Sequence, residues 1–311
     1  MALSDTDETP KTSISYIFEF TSHFIENIHL RLNGRLSLSS LSSGDLFTID
    51  PTAPPPLVKA EVNCPGSTGL SGIATIGPDL FAVSGGVHRS FRFDNMQVYV
   101  VSVPGDSESG ILLDSISVPG ATGLNGMAAL PAMPRVVLSA DSHGSCIHRI
   151  NTLTRLVDVA FADPLLSYGP NFKVGINGLK IFNGYVYFTN SGEGTFAQVK
   201  INDDGSKAGD VEIIARLTGE PPGMGHAFDD FTLDSDGNAY VTLHNNEIVK
   251  ITPDGTQTTF AGGNDSTVFK NPTSAATSQD GKSIYVATAS ATAGKTPGEM
   301  VFNGQVIQLS I

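Results

Sequence analysis

Basic residues are scarce in this chain. Eighteen Lys and Arg stand against 31 Asp and Glu, a net charge of −13 over 311 residues. A nucleic-acid or anionic-membrane binder needs a clustered basic surface, so both functions are excluded as expectations. Cysteine is almost absent as well. Cys64 and Cys146 can pair, but two thiols do not build a disulfide framework. No apolar run approaches the roughly 18–20 residues that a membrane helix needs. The first ten residues are acidic and polar, without the basic region and apolar stretch of a signal peptide. A cytoplasmic protein without membrane insertion is expected.

Glycine and proline are plentiful, 33 and 18 residues, while hydrophobic residues reach 40%. That combination describes many short strands joined by tight turns around a real core. A short pattern recurs, in which a polar residue enters an apolar strand just after a loop. It reads Ile25-Glu-Asn-Ile28, Leu70-Ser-Gly-Ile73, Leu124-Asn-Gly-Met127, Ile176-Asn-Gly-Leu179 and Phe228-Asp-Asp-Phe231, with a looser Asn271-Pro-Thr-Ser-Ala275. The copies are spaced about 44–54 residues apart, the length of a four-stranded propeller blade. Strands rich in Val, Tyr, Phe and Thr follow each copy, as in Tyr185-Val-Tyr-Phe-Thr189 and Ala239-Tyr-Val-Thr-Leu243.

The expected fold is therefore all-β, a six-bladed β-propeller with four-stranded blades. The last blade lacks a fourth strand, and the N-terminal strand (about residues 13–20) is expected to supply it and close the ring. Residues 1–12 are expected to be a flexible segment and residues 13–311 a single domain.

The innermost strand of each blade lines the central channel, so Glu26, Ser71, Asn125, Asn177, Asp229 and Thr273 are expected to converge at one mouth. Two long loops, residues 85–95 and 289–304, reach the same end, where binding sites usually form. The loops contribute Tyr168, Phe172, Met224, His226 and Phe228 from one set and His88, Arg89, His143, Asn190, Glu193, His244 and Asn245 from the other. Converging carboxylates and amides suit a hard divalent cation. They equally suit a hydrated structural channel. His143 beside Ser142 and Asp141 imitates a triad, but neighbours on one turn do not form that geometry. Cys146 reads as packing, and His29 and His148 as structural.

The stretches Ile176-Asn-Gly-Leu-Lys-Ile181, Tyr185-Val-Tyr-Phe-Thr-Asn-Ser191 and 228–241 (Phe-Asp-Asp-Phe-Thr-Leu-Asp-Ser-Asp-Gly-Asn-Ala-Tyr-Val) resemble the SMP-30/gluconolactonase/LRE-like propellers in their fungal branch. The resemblance implies a divalent cation (calcium, zinc or manganese) held by Glu26, Asn177 and Asp229, with Asn125 nearby. Phe228 and Asp230 depart from the family's Pro-Asp-Gly-Met stretch, and its Trp residues are missing here. That branch includes hetero-Diels–Alderases of tropolone–sesquiterpene biosynthesis, which join a quinone methide to a humulene-type alkene.

The leading expectation is such a pericyclase, needing no cofactor and acting on small apolar substrates. His88, His226, Asn125 and Asn177 would be its donors, and Ser71, Tyr168, Phe172, Met224, Phe228, Phe231 and Thr273 its substrate contacts. A metal-dependent lactonase or esterase is the alternative, and a non-catalytic small-molecule-binding propeller the third. Either a monomer or a dimer fits.

Overall fold

The recurring polar residue marks a kink in the backbone. In a computed structural model that describes residues 12–105, 109–263, 266–268, 270–293 and 300–311, the innermost strand of every blade slips register at that residue. The shifts fall between Ile25 and Asn27, Leu70 and Ile73, Leu124 and Met127, Ile176 and Leu179, Phe228 and Phe231, and Pro272 and Ser274. Such bulges re-aim side chains and sharpen twist. Four of them bring Glu26, Asn125, Asn177 and Asp229 to one mouth of the channel.

Strand β1 spans Ile14–Glu19. Blade one contains β2 (Ile25–Leu30), β3 (Leu36–Ser40), β4 (Asp45–Ile49) and β5 (Val58–Asn63). Blade two contains β6 (Gly69–Gly77), β7 (Leu80–Arg89), β8 (Arg92–Ser102) and β9 (Ile111–Ser117). Blade three follows with β10 (Leu124–Leu130), β11 (Met133–Asp141), β12 (Cys146–Asn151) and β13 (Val157–Ala162), and blade four with β14 (Ile176–Phe182), β15 (Tyr185–Asn190), β16 (Thr195–Ile201) and β17 (Lys207–Arg216). Blade five is β18 (Phe228–Leu233), β19 (Ala239–Leu243), β20 (Glu247–Ile251) and β21 (Gln257–Gly262). Blade six begins with β22 (Pro272–Thr277) and β23 (Ser283–Thr288); a small hairpin, β24 (Ala291–Ala293) and β25 (Met300–Phe302), precedes β26 (Gln305–Ser310).

Six four-stranded antiparallel sheets result, the last ordered β1-β26-β23-β22. The N-terminal strand thus closes the ring, pairing Ile14 with Leu309 and Glu19 with Gln305. Six apolar clusters fill the six seams between neighbouring blades, so burial runs round the whole ring. The only helical turn among the described residues is Pro164–Leu166, and no helix there is long and apolar enough to cross a membrane. Cys64 and Cys146 are both buried and free, so the two thiols do not pair. Residues 1–11, within the expected flexible segment, lie outside the described residues.

The bulges need hydrogen-bond partners for their displaced carbonyls. Hydroxyls from adjacent blades supply them. Ser71 Oγ donates to Leu124 O at 2.6 Å, Ser191 Oγ to Phe228 O at 2.7 Å and Thr273 Oγ1 to Ile25 O at 2.8 Å. Glycine after the polar residue lets the inner strands approach. A Cβ on Gly126 would lie 2.2 Å from Leu179 N, and one on Gly178 would meet the Asp230 carboxylate at 2.4 Å. Gly126→Ala is therefore expected to cost about 1–3 kcal/mol or more, as overpacking does. Thermal unfolding followed by circular dichroism checks this, and an unchanged melting temperature contradicts it.

The expected loop over residues 85–95 is instead an extension of β7 and β8. Arg89 pairs with Arg92 across a two-residue turn in which Ser90 and Phe91 take φ of 49° and 63°. Positive φ at both positions is the hairpin geometry that matches strand twist. Ser-Phe is an unusual choice for it, which hid the turn in the sequence. Phe93 and Met96 bury themselves in the seam with blade three and anchor the hairpin.

Candidate functional site

The inner-strand bulges place a polar floor at one mouth of the channel. Asn125 Nδ2 donates to Glu26 Oε1 at 3.1 Å, and Asn177 Nδ2 donates to Asp229 Oδ1 at 2.7 Å and to Ser191 Oγ at 2.9 Å. His244, at the end of β19, completes the floor. Its Nε2 lies 2.8 Å from Asp229 Oδ2, and its Nδ1 3.1 Å from Met224 O. Glu26 and Asp229 are 7% and 5% exposed, so water solvates neither carboxylate well.

Burial pushes the Glu26 carboxyl well above its usual range, and the negative charge of Asp229 adds to the effect. Burial also raises Asp229, against the opposing pull of His244. For His244 itself, burial lowers the pKa, but the hydrogen bond and charge of Asp229 outweigh it and the net shift is upward. Asn177 Oδ1 is buried and has no hydrogen-bond partner. A buried bare acceptor beside two buried carboxylates suits a bound cation or an ordered water.

Above the floor stands an apolar wall. The pocket's cavity volume is about 80 Å³. Phe24, Leu41, Phe93, Leu124, Phe172 and Val174 line it, and Phe91 and Met224 stand at its rim. No Lys or Arg is among the described lining residues. The Phe91 ring packs on Phe24 at 6.3 Å, and both histidines of the wall fix its backbone. His88 Nε2 accepts from Phe91 N at 3.2 Å, while His143 Nε2 lies 2.7 Å from Phe91 O.

Of the residues singled out in the sequence, Glu26, Asn125, Asn177, Asp229, His88, Ser142, His143, His244, Phe172 and Met224 meet in this pocket. The others do not. Ser71 and Thr273 are each 1% exposed, their hydroxyls spent on the inter-blade bonds described above. Phe228 and Phe231 are fully buried in the seam between blades four and five. The bulge at Asp229 and Asp230 puts both rings on the same side, away from the mouth. His226 faces a separate cleft and binds Thr218 O at 3.1 Å. Tyr168 sits on the rim beneath Lys173 Nζ, outside the pocket lining. His88 lines the wall, but its Nδ1 is bonded to Leu41 O at 3.0 Å and its Nε2 to Phe91 N. Burial lowers its pKa. It is a neutral clamp for the hairpin tip rather than a free donor.

Asp141, His143 and Ser142 form no triad. Asp141 Oδ1 caps the turn by accepting from Gly144 N at 2.9 Å, and His143 points at Phe91. The pairing of His244 with Asp229 escaped the sequence reading, because the two residues meet only through the fold. Phe24 and Phe93 were missed for a simpler reason: isolated aromatics beside loops carry no spacing signal.

No family profile matches the chain, and no curated protein matches it either. Solved structures do resemble it. Luciferin-regenerating enzyme is 15% identical with a TM-score of 0.64, the alignment covering 96% of this chain and 95% of that one. Regucalcin from Agrobacterium tumefaciens, described as a calcium-binding protein, is 15% identical over 94% of this chain and 92% of its own, with a TM-score of 0.64. A chain named for gluconolactonase is 12% identical over 97% and 93%, with a TM-score of 0.62. At such identities the likeness is one of fold. The chain shares with these proteins the architecture of the six-bladed β-propeller.

Proposed function

We propose that the mouth binds a divalent cation and hydrolyses a lactone or ester whose body is apolar. The observation that carries this reading is the floor itself. Two buried carboxylates, Glu26 and Asp229, share it with the unpartnered Asn177 Oδ1, and no Lys or Arg is among the described residues lining the pocket. Glu26, Asn177 and Asp229 would hold the ion. When bound, it supplies Lewis-acid polarisation of a carbonyl. The similarity to regucalcin and to the gluconolactonase-named chain supports the same direction.

The protein's own groups do the rest. Asp229 Oδ2 and His244 Nε2 lie 2.8 Å apart, so a proton taken from an attacking water can rest on either atom and return to the departing oxygen. The Asn125 amide holds Glu26 in one orientation. The wall of Phe24, Phe93, Phe172 and Val174 excludes bulk water and seats the apolar body.

The test is an assay of the chelated protein against lactones and esters with apolar and with sugar-like bodies. Turnover is expected to fall at least about 100-fold on chelation, the upper end of the loss for disturbing an outer-shell metal partner. It is expected to return with calcium, manganese or zinc. Turnover that chelation leaves unchanged contradicts the reading.

A second reading rests on the wall alone. Eight apolar side chains suit the apolar partners of an intermolecular hetero-Diels–Alder cycloaddition, a tropolone-type quinone methide and a humulene-type sesquiterpene. Product formed at full rate by chelated protein supports it over hydrolysis. A third, non-catalytic role follows if apolar ligands bind stoichiometrically without turnover.

Where in this wall does specificity reside? Phe91 is 44% exposed and stands at the rim on the hairpin tip. Phe91→Ala is expected to raise KM for bulky apolar substrates by about 10-fold, the scale of a lost aromatic contact, while kcat changes less. Equal loss on small and bulky substrates contradicts that role.

A further inference from the structure

Blade three carries a second cluster with metal-ligand chemistry, separate from the mouth. Asp141 ends β11, and Cys146 and His148 lie on β12. Asp141 pairs directly with Cys146 and Ser139 with His148, so all four side chains share one face of the hairpin. That face also carries Val137 and Ile150, which pack with Met96, Val98 and Val118 of blade two. The cluster therefore sits in an otherwise apolar seam. Asp141, Cys146 and His148 are 0%, 8% and 6% exposed.

The three donor atoms lie within 4.8 Å of one another. Cys146 Sγ is 3.6 Å from His148 Nε2, and that nitrogen is 3.4 Å from Asp141 Oδ2. A catalytic relay would set the thiol and the carboxylate on opposite ring nitrogens. Here both face the same nitrogen, and His148 Nδ1 is buried without a partner. Ser139 Oγ, across the ladder from His148, is buried and unpartnered too. Ligand bonds of about 2.0–2.3 Å meeting at tetrahedral angles place N, O and S donors roughly 3.3–3.6 Å apart. The two observed separations have that size.

We propose that Asp141, Cys146 and His148 form a site for a zinc-like divalent cation in the seam between blades two and three. A thiolate–imidazole–carboxylate set selects a borderline ion such as zinc, in contrast to the all-oxygen set of Glu26, Asn177 and Asp229 at the mouth. Asp141 retains capacity for it. Its Oδ1 serves the turn at Gly144, while Oδ2 faces the histidine and Thr122 N. The site would cross-link the two strands of the hairpin.

Cobalt(II) added to metal-free full-length protein tests this, because a thiolate ligand gives a sulfur-to-cobalt charge-transfer band that oxygen ligands cannot. The wild type is expected to show that band. Cys146→Ser is expected to lose it entirely, and His148→Ala to weaken cobalt binding more than about 10-fold, the least expected from losing a metal partner. Glu26→Gln should leave the band unchanged. Absence of the band at saturating cobalt, or its survival in Cys146→Ser, overturns the proposal. A second measurement needs no variant. Zinc should slow alkylation of Cys146 without altering that of Cys64, which is buried in another seam. Equal rates at Cys146 with and without zinc also overturn it.

Discussion

Glu26→Gln is expected to make the metal-free protein more stable while lowering cation-dependent hydrolysis at least about 100-fold. The two effects share one cause. Burial holds the Glu26 carboxyl above its usual range, so between its ordinary and its folded pKa the folded state binds more protons than the unfolded one. Stability then falls as pH rises through that window, and the full penalty remains above it. Gln keeps an acceptor for Asn125 Nδ2 and removes the charge. The gain is expected to be about 1–3 kcal/mol at neutral pH, the cost of an uncompensated buried polar group.

Divalent cation reverses the order. At a concentration 100 times its dissociation constant, an ion that binds only the folded state adds about 2.7 kcal/mol to the wild type. Glu26→Gln gains far less. Melting curves with and without cation, at pH 5 and pH 8, measure all of this. Metal-free wild type should melt lower at pH 8 than at pH 5 relative to Glu26→Gln. A variant that is less stable than wild type without metal contradicts the account.

The second large effect lies deeper in the channel. Asp230 is 1% exposed and takes both Lys180 Nζ contacts at 2.8 Å, with Asn27 Nδ2 at 3.2 Å and Ser274 Oγ at 2.8 Å. Four blades thus meet on one carboxylate. Its side chain occupies the space that Gly178 leaves by having no Cβ. Lys180→Met would leave that charge buried without its cation. The expected loss is about 3–5 kcal/mol, with the melting temperature lower by roughly 6–12 °C. The double variant Lys180→Met/Asp230→Asn should recover most of this, because no unpaired charge remains. If the single and double variants melt together, the pair is not what ties the blades.

Much of the ring was legible in the sequence because propeller blades repeat. Six polar residues at blade-length spacing located six inner strands, and the orphan strand near residues 13–20 found its place on β26. The polar floor was legible for the same reason. Its geometry was not. Simple alternation cannot show a bulge, and the bulge decides that Asp229 and Asp230 turn inward while Phe228 and Phe231 both go to the seam. The hydroxyls of Ser71 and Thr273 look like ligand contacts until the displaced carbonyls they satisfy are known. The wall depended on a turn at Ser90 and Phe91 with two positive φ angles, which few sequences of that composition adopt. His244 reached Asp229 only through tertiary structure.

The divalent-cation site we propose at the mouth consists of Glu26, Asn177 and Asp229. Its most direct test is an anomalous difference map from crystals of the full-length protein grown with manganese. A strong peak bounded by Glu26, Asn177 Oδ1 and Asp229, lost in Glu26→Gln, is the expected result. A mouth without a peak, in crystals whose manganese exceeds the millimolar range of weak sites, would contradict it.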